Sequence, residues 1–188
     1  MVFKFPETNW QVLLLPQRES WQSVEDFFKV VEPKEYEVWA DIGCGPGYFT
    51  LPLAQHVKKV YAIDQSSFML ERCRERVQKE GLKNIEYMLC EEDHMPLEDR
   101  AVSVSLLANL FHELLKPEDF LEEVGRITSH RIILIDWHPV HSPAGPPLEE
   151  RVPEDEVLSF MEKRGFKLLE RHSVFPYHYF LIFRAKEA

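Results

Sequence analysis

The sequence predicts an α/β fold, a seven-stranded and mostly parallel sheet with helices on both faces and an antiparallel last strand. Three observations carry that prediction. Apolar strand-like runs alternate with amphipathic helical stretches from Ser20 onward, the pattern of a parallel sheet whose crossovers are helices. The first strand runs through an acid into three alternating glycines, Asp41-Ile42-Gly43-Cys44-Gly45-Pro46-Gly47, a strand-turn-helix start suited to a nucleoside. The last two strand candidates are joined by too few residues around Pro176 and Tyr177 for a crossover helix, so they must run antiparallel.

The elements follow in order. Residues 1–31 form an amino-terminal helical segment whose Phe3, Phe5, Trp10 and Arg18 are expected to fold over the site as a lid, and the sheet core spans 36–188. Strands are expected at 36–41, 60–64, 85–90, 102–107, 132–136, 166–174 and 179–184. After the second strand, Ser66 or Ser67 caps a helix that buries Met69, Leu70, Cys73 and Val77, and Gly81 ends it. Pro117 opens another helix, with Glu118 and Asp119 in its first turn and an apolar stripe of Phe120, Leu121, Val124 and Ile127. Pro153 opens the last one, with acids at its start, Lys163 and Arg164 at its end and Gly165 just beyond. The proline-rich loop 139–147 follows the fifth strand directly and is a candidate active-site wall.

At 188 residues and 45% hydrophobic content the chain supports one well-cored domain, 1–188. A net charge of −10 disfavours tight nucleic-acid binding, which draws its affinity from cations facing phosphates. The three cysteines are scattered and signal neither a disulfide framework nor a zinc site. No apolar run is long enough to span a bilayer. A soluble cytoplasmic protein is therefore expected, with a small-molecule substrate and no nucleic-acid partner. The pairs His112/Glu113 and His138/His141 match no strong metal motif, so no metal is expected.

A nicotinamide-dinucleotide oxidoreductase is the weaker reading of the glycine loop. Tyr48 stands where that fingerprint wants its third glycine, and an acid precedes the first glycine by two positions. With Asp64 ending the second strand, Cys90-Glu91-Glu92-Asp93-His94-Met95-Pro96-Leu97 after the third and Asn109-Leu110-Phe111-His112-Glu113 after the fourth, the chain resembles the class I S-adenosylmethionine-dependent methyltransferases. Among them it is similar to the small stand-alone enzymes related to ubiquinone/menaquinone-biosynthesis methyltransferases, and the resemblance covers nearly the whole length. It implies a Rossmann-like fold and S-adenosylmethionine as cofactor.

The resemblance also implies roles. Gly43, Gly45 and Gly47 would let the methionine and ribose parts of the cofactor approach the backbone, Asp41 would lie near its ammonium group, and Asp64 would accept from the ribose hydroxyls. Glu91 or Glu92 would meet the adenine amino group, and Gln65 and Asn109 complete the cofactor set. Gln65 departs from the pattern, since an apolar residue often packs on adenine there. Topology collects the acceptor site at the carboxyl edge of the sheet, where His112, Glu113, Trp137, His138, His141, Tyr177 and His178 are expected to converge. His112 is the candidate general base for an acceptor that must lose a proton. A non-catalytic protein that binds S-adenosylmethionine is the competing function.

Overall fold

The computed structural model describes residues 4–91 and 94–186. Its sheet holds β1 (Val38–Ile42), β2 (Lys59–Asp64), β3 (Ile85–Leu89), β4 (Val102–Ala108), β5 (Thr128–Trp137), β6 (Lys167–His172) and β7 (His178–Arg184), in the order β3-β2-β1-β4-β5-β7-β6. Neighbours run parallel from β3 to β5, and β7 lies antiparallel between β5 and β6. The strand order turns back between β1 and β4, and in open α/β sheets that switch point is where the carboxyl ends part around a ligand.

Five α-helices cover the sheet among the described residues: α1 (Val24–Val31), α2 (Thr50–Ala54), α3 (Ser67–Glu80), α4 (Pro117–Ile127) and α5 (Glu154–Lys163). The period of two in β5 sorts the core. Ile132 and Leu134 join Phe120, Leu121 and Val124 of α4 and Val157 and Met161 of α5, whereas Ile133 and Ile135 join Phe27 and Val31 of α1. Leu70, Cys73 and Val77 of α3 pack separately on Ala62 and Leu51.

The helix ends follow the local chemistry. Ser66 Oγ accepts from the Met69 N–H at 3.0 Å, and Gly81 ends α3 at φ 68°. Pro117 is the first residue of α4, Pro153 immediately precedes α5, and Ser23 caps α1 by accepting from the Asp26 N–H. The observed strand ends lie within two residues of the expected ones, save at the start of the fifth. The fifth strand starts at Thr128, four residues before 132, because the Thr128 hydroxyl is satisfied in the core by Ser105 Oγ at 2.6 Å and the Val124 carbonyl at 2.5 Å. The sixth strand is shorter than 166–174, since Phe166 turns into the α4 side of the core. No helix among the described residues is long and apolar enough to cross a membrane.

Candidate active site

A cavity of about 970 Å³ lies at the carboxyl ends of β1, β2, β4 and β5. Its floor is the glycine loop. The N–H groups of Gly43 and Cys44 donate to the Ile63 carbonyl at 2.8 and 3.1 Å, which ties the loop to the end of β2. Asp64 completes the join, with Oδ2 accepting from the Gly45 N–H at 2.8 Å and Oδ1 from the Ser66 N–H at 2.9 Å. Burial raises the Asp64 pKa, and it pushes that of Asp41 up to about 6 against the hydrogen bond from the Thr50 hydroxyl at 2.6 Å.

The glycines do different work. A Cβ at Gly47 would stand 2.7 Å from Cys73 Sγ and 2.8 Å from Leu51 Cδ1, so that glycine lets α2 and α3 close on the loop. At Gly45 a Cβ would meet only Leu13 Cδ1, at 3.7 Å, and its bare backbone faces the cavity.

The opposite wall is built by β5 and the turn Phe111–Glu113. Asp136 Oδ1 stands 2.7 Å from His112 Nδ1 and also accepts from the Trp137 N–H at 2.7 Å, while its Oδ2 accepts from the His112 N–H at 3.2 Å. This network assigns the proton to Nδ1. The other nitrogen, Nε2, lies 3.7 Å from Glu113 Oε1. Burial pulls the imidazole pKa down, but the charge and hydrogen bond of Asp136, with the Glu113 carboxylate, raise it above the ordinary value. Burial also lifts Glu113 to about 7.

Residues 143–146 close this side. Their loop is wound about the Arg151 guanidinium, which donates to the carbonyls of His138, Val140, Ala144 and Pro146 and to Ser142 Oγ. Gly145 lies against Trp137, where a Cβ would come within 2.9 Å of the indole. The roof is the amino-terminal segment, two 3-10 turns at Glu7–Leu14 and Pro16–Ser20. Lys4 Nζ donates to Gln65 Oε1 at 2.9 Å, and the Phe5 N–H donates to Glu113 Oε1 at 3.3 Å.

Residues 40–135, half of the chain, match the family model described as a methyltransferase domain. The structure of a SAM-dependent methyltransferase from Aquifex aeolicus superposes on 97% of this chain and 100% of its own, with a TM-score of 0.91 and 32% identity. The chain belongs to the class I S-adenosylmethionine-dependent methyltransferases. A Methanocaldococcus jannaschii relative, the tRNA(Phe) (4-demethylwyosine(37)-C(7)) aminocarboxypropyltransferase, is 30% identical over 72% of this chain and 52% of its own length. A Stenotrophomonas maltophilia 23S rRNA (uracil(1939)-C(5))-methyltransferase is 38% identical over 31% of this chain and 13% of its own. The chain thus spans about half or less of these curated relatives.

The cavity fits the family's cofactor: an uncovered glycine backbone, one carboxylate beneath it and a second at the end of the next strand suit a nucleoside joined to a cation. Asp41, Gly43, Gly45, Asp64, Gln65, Glu91 and Asn109 line the cavity, as do His112 and Trp137. Gly47 does not, for the packing reason given above, and Glu92 lies outside the described residues, as does Phe3 of the roof. Met69 lines the cavity, whereas Phe68 is turned outward to Arg72.

The acceptor set divides. His138, His141, Tyr177 and His178 are not brought to the cavity wall. His178 is fully buried behind Trp137, His141 is exposed on the outer side of the proline-rich loop, and the His138 N–H binds the Tyr177 carbonyl at 2.8 Å at the mouth of the β5–β7 ladder. The sequence assigns no site role to Asp136 or Arg151, whereas it groups Glu113 with the acceptor edge and Arg18 with the lid, and both line the cavity. Asp136 is separated from His112 by 24 positions, and only the register of β5 beside β4 brings them together. Among the described residues no group of three or more His, Cys, Asp or Glu is placed to hold a metal ion.

Proposed function

We propose that this chain methylates a small, largely apolar acceptor whose attacking atom gives up its proton to His112. The observation that carries the reading is the His112–Asp136 pair on the wall of a roofed cavity. S-Adenosylmethionine supplies a methyl group on a sulfonium, already activated for in-line displacement. Gly45, Asp41, Asp64, Gln65, Glu91 and Asn109 hold it, and Gly43 shapes the loop beneath it.

The chain's own residues do the rest. Asp136 keeps the Nδ1 proton of His112 in place, so that Nε2 is the basic nitrogen. Val12, Leu13, Trp21, Leu110, Leu114 and Trp137 supply apolar walls that exclude water and position the acceptor. A phenol, an enol or another weakly acidic group matches a base whose pKa lies above that of free histidine.

The relatives named for rRNA and tRNA modification favour a second reading, an unpaired RNA base as acceptor. The net charge of −10 and the roof of residues 4–18 support the small molecule instead. The test begins with native mass spectrometry for retained S-adenosylmethionine or S-adenosylhomocysteine. Isotope-labelled methyl transfer to phenolic and enolic small molecules, and in parallel to RNA, follows. Transfer to RNA alone would overturn the small-molecule reading.

A further inference from the structure

We infer that Glu113 selects the methyl acceptor, by taking a hydrogen bond from a second donor group that the acceptor carries beside its attacking atom. This rests on the base reading above and narrows the acceptor class. Glu113 follows His112 on the turn after β4 and lines the same cavity, with its side chain 15% exposed. Oε1 accepts from the Phe5 N–H of the roof at 3.3 Å, and Oε2 accepts no hydrogen bond among the described residues. Its one ion-pair partner among them is the His112 imidazole, whose Nε2 stands 3.7 Å from Oε1 and whose Nδ1 is committed to Asp136. An ionised carboxylate only accepts, so what this one lacks is a donor.

A largely buried carboxylate short of donors is costly, and this one stands on the wall of a ligand cavity. Burial lifts its pKa to about 7, the mark of a charge that the protein itself leaves under-compensated. His112, Asp136 and Asp64 are the ionisable groups whose charges reach it, and the two acids oppose its ionisation. A donor brought by a ligand removes the deficit.

Spacing selects the ligand group. At 3.7 Å, Nε2 and Oε1 are beyond hydrogen-bond reach of each other, yet an acceptor atom seated on Nε2 brings its neighbour within reach of Glu113. Two hydroxyls, or a hydroxyl and an amine, on adjacent carbons match a pair of hydrogen-bond acceptors so placed. Transfer breaks the O–H bond of the attacking hydroxyl, whose proton passes to Nε2, and the new O–CH3 bond forms as the cofactor's C–S bond breaks and leaves its electron pair on sulfur. The product has lost the donor toward Nε2 and keeps the one toward Glu113. The cofactor's own ammonium group is the alternative partner.

Calorimetric titration of the full chain separates the two. The chain is loaded with S-adenosylhomocysteine at a pH above 8, where the Glu113 carboxylate is ionised, and the probes are 1,2-dihydroxybenzene and phenol. Wild type should bind 1,2-dihydroxybenzene about 10- to 100-fold more tightly than phenol, the scale of hydrogen bonds to a charged group. Glu113→Gln keeps an oxygen for the Phe5 N–H and loses the charge, so it should cut that preference by about fivefold or more while S-adenosylhomocysteine affinity stays within about threefold. Circular dichroism checks the variant, and the wild-type comparison stands even where the variant misfolds. No preference in wild type, absent binding included, or a full preference kept by folded Glu113→Gln, overturns the assignment. A larger loss of S-adenosylhomocysteine affinity in the folded variant also overturns it and gives Glu113 to the cofactor. The readout is binding, whereas the base reading stands or falls on turnover by His112→Ala, so the two fail separately.

Discussion

The imidazole of His178 lies 3.9 Å from the indole of Trp137, centroid to centroid, across the paired ends of β7 and β5. The two residues form one wall seen from two depths. Trp137 faces the cavity, and His178 backs it with 0% exposure and neither ring nitrogen hydrogen-bonded. Burial first, then the positive charge of Arg18, hold the His178 pKa well below the histidine value.

His178→Leu should therefore change the pH dependence of stability. A histidine with a depressed folded pKa contributes stability above its unfolded value near 6.5 and loses it as the pH falls below that. Relative to wild type, the variant should gain about 1.4 kcal/mol per pH unit below 6.5. Urea denaturation at pH 7.5 and 5.5 measures it, and a difference independent of pH would show that His178 is not held neutral by the fold.

Once an acceptor is known, His112→Ala should lower kcat by about 10²- to 10⁴-fold, the usual share of a general base, with cofactor affinity within about threefold. In wild type the rate should fall as the pH drops through the His112 pKa, which lies above 6.5. Asp136→Asn removes the charge that raises it, so the acid limb of the profile should move to lower pH. An unmoved limb assigns the titration to another group, Glu113 being the nearest.

Gly45 and Gly47 should separate binding from folding. Gly45→Ala has room for its methyl group, so its cost to the fold is the roughly 1–2 kcal/mol of a left-handed backbone at φ 52°, and its main effect is lost cofactor affinity. Gly47→Ala adds overlap with Cys73 and Leu51 to a similar strain and should lower the melting temperature more. Thermal melts with and without S-adenosylhomocysteine distinguish them. Equal melting temperatures for the two free variants would contradict the packing role of Gly47.

Asp64→Ala should weaken S-adenosylhomocysteine binding by roughly 1.5–3 kcal/mol. It also strands the Gly45 and Ser66 N–H groups, so a loss of about 1 kcal/mol of stability should accompany it. Titration calorimetry paired with denaturation reads both. Unchanged affinity in a folded variant removes Asp64 from the ribose site.

The seven strands were legible because their apolar runs are short, β-branched and punctuated, and the hairpin because no helix fits between β6 and β7. Helix α2 was legible only as the helix that the glycine turn opens, since five residues containing Pro52 carry no periodic signal to bound it. At the site, residues next to the glycine loop could be placed from chain order alone. Asp136 could not, because its place beside His112 depends on the register of β5 next to β4. His178 lies one strand away from the acceptor edge expected of it: paired opposite Trp137, it shares that residue's face of the sheet, and the indole stands between it and the cavity.

The roof has a kinetic meaning. Lys4 latches it to Gln65 beside the end of β2 and Phe5 latches it to Glu113 on the β4 side, while Leu13 lies across the loop between. A molecule as large as a nucleoside that leaves on this side should need both of those bonds to open. Release of the spent cofactor would then run at the pace of a local unfolding event in residues 4–18, a clock set apart from the chemistry it times.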